Sequence, residues 1–212
     1  ERDRQELALQ YPLSSYLVMA HGDESPELQA ARARTRELAG RVGDATMTVS
    51  ALSSFWAAAI VHGEYRTGLA IAEQMLEIAE REGAVRPLVV AHADKAMCHL
   101  VRGELAAARQ DAERVLELYE PTTMRDDPLD RRVLALWTLA QVAAVTGRIE
   151  ESRLHELEML AAAQTRGVAT ELALVEIQAS GLASILGEPE GMIERGRKLD
   201  LFCSEHKLEY FR

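Results

Sequence analysis

The sequence has no asparagine, three lysines against 21 arginines, two cysteines, and aromatics at only 5% of its 212 positions. Each shortage excludes something. Strand-forming residues are thin, while Ala and Leu, both strong helix formers, dominate an apolar content of 48%, so the expected class is all-α. Cys98 and Cys203 sit on apolar helical patterns, which fits buried thiols in a reducing cytoplasm better than a disulfide framework. No apolar run of about 18 to 20 residues and no secretory leader occurs, which predicts neither a membrane span nor export. The formal charge of −10, with no compensating Lys/Arg block, repels phosphate backbones, and nucleic acid is not expected as a direct partner. The Arg-over-Lys bias and the missing asparagine suit a high-GC bacterial genome. Beginning at Glu1 and stopping at Tyr210-Phe211-Arg212, the chain reads as a piece of something longer.

Catalytic signatures are also missing. There is no Gly-rich phosphate loop, no GxSxG and no zinc-finger cysteine spacing, so no enzyme activity, cofactor or metal is expected. His155-Glu156-Leu157-Glu158-Met159 opens like a zinc-protease helix but offers Met where the second His belongs, and reads as an exposed helix face. His92 and His99 share a helix face with Cys98 beside them. Histidines between packed helices more often hydrogen-bond a neighbour than hold a metal. Glu171 and Glu176 read as a solvated edge and a rim residue, not an acid/base pair.

What the sequence does have is a repeat. Gly22, Gly63, Gly103, Gly147 and Gly187 recur at spacings of 41, 40, 44 and 40, each after an apolar helical stretch, with Glu64, Glu104, Glu150 and Glu188 shortly after Gly63, Gly103, Gly147 and Gly187. Gly ends one helix in the left-handed conformation, and the following carboxylate favours the positive end of the next. A second ladder, Gly43, Gly83 and Gly167 with Pro121 in the missing place, closes the second helix of each pair. Five helix hairpins are expected over 1–43, 44–83, 84–121, 128–167 and 168–207 of a single domain, with a further helix beginning at 208–212. Pro12 predicts a kink or a helix start in the first stretch. The segment 121–128 should be an exposed loop, with Asp130 or a neighbour capping the next helix. Small residues in Ala106-Ala107-Ala108-Arg109-Gln110-Asp111-Ala112 recur at the interval of one close-packed helix face.

Gly103-Glu104-Leu105-Ala106-Ala107-Ala108 through Val115-Leu116-Glu117-Leu118-Tyr119-Glu120-Pro121 resembles the second half of a tetratricopeptide (TPR) repeat, although the period here is near 40 rather than 34. Longer helices of this kind resemble the C-terminal helical regions of bacterial signalling proteins in which an AAA or STAND ATPase is joined to a class III nucleotidyl cyclase, a kinase or a LuxR-type regulator. The likeness lies in three stretches: Glu6-Leu7-Ala8-Leu9 through Leu38; Phe55-Trp56 through Gly68; and Asp127-Pro128 before Leu134-Ala135-Leu136-Trp137. The resemblance implies an α-solenoid, a TPR-like superhelix, acting as a non-catalytic regulatory or interaction arm.

In TPR-type solenoids the first helix of each hairpin lines the concave face. That implies a partner-binding set here of Tyr16, Ser53, Ala57, Met97, Leu100, Trp137, Gln141 and Ile177. The surface is mainly apolar, and the Asn and Lys carboxylate clamp of chaperone-binding TPR domains has no Asn to build it. The partner expected is a protein or peptide, such as an amphipathic helix or another domain of the same chain. Two other functions compete: a free-standing peptide-binding adaptor, and a small-molecule sensor with a pocket around Trp137 and Gln141, as in LuxR-type activators.

Overall fold

The computed structural model describes residues 2–21, 25–122, 124, 127 and 129–208, with side chains except at positions 11, 12, 15, 16, 18, 19, 36, 39 and 40. Among the described residues there are ten helices and no strand, an all-α helical-repeat architecture of the solenoid class. They are α1 (Arg2–His21), α2 (Pro26–Val42), α3 (Ala45–Val61), α4 (Tyr65–Glu82), α5 (Val85–Val101), α6 (Leu105–Leu118), α7 (Arg131–Val145), α8 (Ile149–Arg166), α9 (Ala169–Ile185) and α10 (Pro189–His206). The chain divides into two compact units, Glu1–Pro128 and Leu129–Arg212.

The glycine ladders mark helix ends. All seven ladder glycines among the described residues have φ between +65° and +77°, and Gly22 lies outside them. Gly63 shows the chemistry: its N–H reaches Ile60 C=O at 3.1 Å and the Glu64 N–H reaches back to Ala59 C=O at 2.7 Å, a Schellman closure. The same long backbone bond recurs from Glu104 to His99, from Arg148 to Ala143 and from Glu188 to Ala183, at 2.8–2.9 Å. A Cβ on Gly63 would meet no atom within 4 Å, so the positive φ, not crowding, selects glycine there. Asp44 and Asp130 cap α3 and α7, accepting from the Met47 N–H at 3.1 Å and the Arg132 N–H at 2.9 Å.

In unit 1 each hairpin packs on the next, with the first helices also touching, α1 on α3 and α3 on α5; unit 2 repeats this with α7 on α9. Small residues permit the approach. Ala108, Ala112 and Val115 of α6 are fully buried at helical spacing, as are Ala72, Met75 and Ala79 of α4. In unit 2 the matching layer is Ala135, Ala140 and Ala143 of α7 with Ala173 and Ala179 of α9.

Two local expectations change. α1 runs through Pro12 as one helix that begins at Arg2, so Pro12 does not start it. The 121–128 segment is exposed at Pro121 and Thr122 but buries Met124 and Asp127, because Arg86 Nη2 donates to Asp127 Oδ1 at 2.8 Å and holds that carboxylate in unit 1. Residues 123, 125, 126 and 128 lie outside the described residues.

Candidate partner-binding surface

A repeat period near 40 places residue i of one first helix beside residue i+41 of the next. In unit 1, Ser53 Oγ donates to Asp94 Oδ2 at 2.7 Å, and Trp56 Nε1–H donates to Cys98 Sγ at 3.1 Å. Asp94 and Cys98 are wholly buried. Burial pushes the Cys98 thiol up to about 11, against the indole hydrogen bond that stabilises its thiolate. Ala57, Met97 and Leu100, also on α3 and α5, stay partly exposed. In unit 2 the Asp130 N–H donates to Glu171 Oε2 at 2.9 Å, while Trp137 and Gln141 are partly exposed and Ile177 is 40% exposed.

Ser53 therefore leaves the accessible set: it is 2% exposed and its hydroxyl is committed to Asp94. The Tyr16 side chain lies outside the described residues. Of the expected set, Ala57, Met97 and Leu100 on the first helices of unit 1 and Trp137 and Gln141 on α7 of unit 2 stay partly exposed, and Ile177 on α9 is exposed.

Glu171 is not a solvated edge. It is 2% exposed, and burial raises its carboxyl above the usual range, opposed by the Asp130 N–H and the Arg166 guanidinium, which donates at 2.6 Å. Glu156 likewise is buried within what reads in sequence as an exposed face, although Leu157 and Glu158 beside it are exposed. Its carboxylate accepts from Arg153 Nη1 at 2.7 Å and from Arg195 Nη2 of α10 at 2.6 Å. Arg195 also meets Glu176 at 3.1 Å, and Arg153 pairs with Glu188. Arg153, Glu176, Glu188 and Arg195 line a cavity of about 330 Å³, and their opposite charges are already matched to one another.

His92 and His99 each find a carboxylate, as expected of histidines between packed helices, but it comes from beyond α5. His92 Nδ1 lies 2.8 Å from Asp111 Oδ1, and His99 Nδ1 lies 2.5 Å from Glu104 Oε2. Lys95 Nζ and His99 Nε2 stand 3.4 and 3.6 Å from Asp111 Oδ2. Hydrogen bonds from Arg102 and then His99 hold the Glu104 carboxyl down at about 2. Among the described residues no group of three or more His, Cys, Asp or Glu is arranged to hold a metal ion, and no helix is long and apolar enough to cross a membrane.

The ten described helices, stacked as hairpins in each unit, define a helical-repeat protein of the solenoid class. No family model matches the chain, and no curated protein matches it in sequence. Among solved structures it is similar to a Rap protein in complex with competence and sporulation factor, with a TM-score of 0.65 and 13% identity. The match covers 98% of this chain and 67% of that one, which supports the helical-repeat fold through both units.

Proposed function

We propose that this chain is a protein-interaction module that takes a segment of a protein partner against the first helices of its hairpins, and that it is the non-catalytic regulatory part of a larger bacterial signalling protein acting in the cytoplasm. The observation carrying the first part is the fold shared along nearly the whole chain with a Rap protein whose structure contains a bound factor. The part-exposed positions on the first helices support it. Met97 and Trp137 are residue types that anchor partners, and Ile177 stands exposed where a buried core residue would not. The second part rests on the likeness of the 40-residue hairpins to the helical arms of ATPase-linked cyclases, kinases and LuxR-type regulators.

The test compares partner capture by the wild-type chain with capture by Met97→Asp and Ile177→Asp, both at accessible positions. A captured protein that is lost from either variant, with circular dichroism unchanged, supports the reading. Capture insensitive to both substitutions contradicts it.

A further inference from the structure

In unit 1 the facing polar positions of α3 and α5 satisfy one another. Ser53, ten residues before Gly63, donates to Asp94, nine residues before Gly103, at 2.7 Å. Trp137 and Gln178 occupy the same two places before Gly147 and Gly187. The register of α7 on α9 is fixed on both sides of this pair. Ahead of it the Asp130 N–H meets Glu171 Oε2 at 2.9 Å, and beyond it Ala140 and Ala144 pack with Leu182.

Yet in unit 2 the bond is unmade: Trp137 Nε1 and Gln178 Oε1 are both buried and neither has a hydrogen-bond partner. Indole nitrogen can only donate and a carboxamide oxygen can only accept, so each needs what the other offers. Buried polar atoms are ordinarily satisfied, and apolar side chains at both positions would pack without this penalty. Both residues keep part of their surface exposed while the two polar atoms are buried, so reaching a partner requires the side chains to turn outward.

We infer that Trp137 and Gln178 together recognise a main-chain amide of the partner. The indole N–H donates to a carbonyl oxygen and Gln178 Oε1 accepts from an amide N–H. In an extended segment the N–H and C=O of one residue point the same way, as strand pairing requires, so one partner residue supplies both groups. A carboxylate would satisfy the indole, and a turned Gln178 amide could donate to it as well, but it has no hydrogen to give Gln178 Oε1, which an amide N–H supplies. The ligand class is therefore an extended polypeptide backbone rather than an anion. This rests on the first-helix reading above and adds its chemistry.

The experiment follows the indole Nε1–H signals of the two tryptophans in ¹⁵N-labelled full chain, with the Trp137 signal identified in Trp56→Phe. If that variant does not fold, the signal missing from Trp137→Phe identifies it in the wild type. The probes are acetyl-alanine-N-methylamide and its fully N-methylated analogue, which keeps the carbonyls but has no N–H. The expected result is a saturable downfield shift of the Trp137 indole proton, at a half-point at least fivefold lower for the N–H probe. Gln178→Leu abolishes the fivefold difference, and the Trp56 signal, bonded to Cys98, stays still. Three results overturn the inference: no shift with either probe, equal response to both, or an upfield move of the Trp137 signal in Gln178→Leu before any probe, which would show a direct bond between the two residues. A chain that captures its partner through Met97 and Ile177 but shows no amide response loses this inference alone. An amide response with capture insensitive to Met97→Asp and Ile177→Asp overturns the surface reading instead.

Discussion

Ser53 and Asp94 meet at 2.7 Å across α3 and α5, one repeat period apart in sequence, with Asp94 wholly buried. The bond shows why the period matters: a hydroxyl and a carboxylate distant in the chain form a contact in unit 1 because two helices of equal length stack in register. Ser53→Ala should destabilise the chain by about 1–3 kcal/mol, since it strips a buried carboxylate of a donor. Ser53→Ala with Asp94→Leu should recover part of that loss, because removing both partners leaves less unsatisfied. Urea unfolding of the two variants checks the order.

Gly103 and Gly68 should respond to alanine for different reasons. At Gly103, with φ of +76° and nothing within 4 Å of an added Cβ, alanine should cost about 1–2 kcal/mol through backbone strain, and asparagine less. At Gly68 a Cβ would stand 3.2 Å from Ile60 Cδ1 and 3.3 Å from Cys98 Sγ, so the effect runs through packing. Valine should worsen both, but only at Gly68 should the small variant Ile60→Ala relieve it. Thermal melts of the single and double variants separate the two causes.

Glu171 makes a pH prediction with a definite sign. Its carboxyl is raised in the folded chain, chiefly by burial, from an ordinary value of 4.5. The folded state therefore holds this proton more tightly than the unfolded state, so the contribution is fully present below 4.5 and is lost as pH rises through the folded value. The stability of wild type relative to Glu171→Gln should fall as pH rises above 4.5 through the folded value, and be flat below 4.5. A difference that grows with pH over the same range would reverse the assignment.

Arg195 ties α10 to the buried Glu156 of α8, and Cys203 is the one fully buried residue of α10. Arg195→Met should cost about 1–3 kcal/mol, less than a fully buried pair, because Arg195 is 26% exposed and Arg153 still serves Glu156. Hydrogen exchange should quicken in α10 ahead of α9. Uniform acceleration across unit 2 would place the loss elsewhere.

The glycine ladders and the Asp130 cap were legible in the sequence because they are local: a left-handed φ selects glycine, and a helix start selects an oxygen acceptor, wherever they stand. Asp111, Glu156 and Glu171 were not. Each has a partner on another element, His92 for Asp111, Arg195 for Glu156 and the Asp130 N–H for Glu171, 19 to 41 residues away, and a single-helix pattern reads an isolated Glu as solvated. Ser53 misled for the same reason: its spacing suits an open face, but Asp94 on the next hairpin draws it inward. Asp127 carried one usable signal, its separation of 41 from Arg86.

The central claim is that partners lie against the first helices. Placing a photo-crosslinking p-benzoylphenylalanine at Met97 of α5, and in a separate chain at the exposed Glu77 of α4, measures this directly in cell extract. A discrete crosslinked protein at Met97 and none at Glu77 is the result predicted. Adducts at Glu77 alone, or the same adducts at both positions, would contradict it.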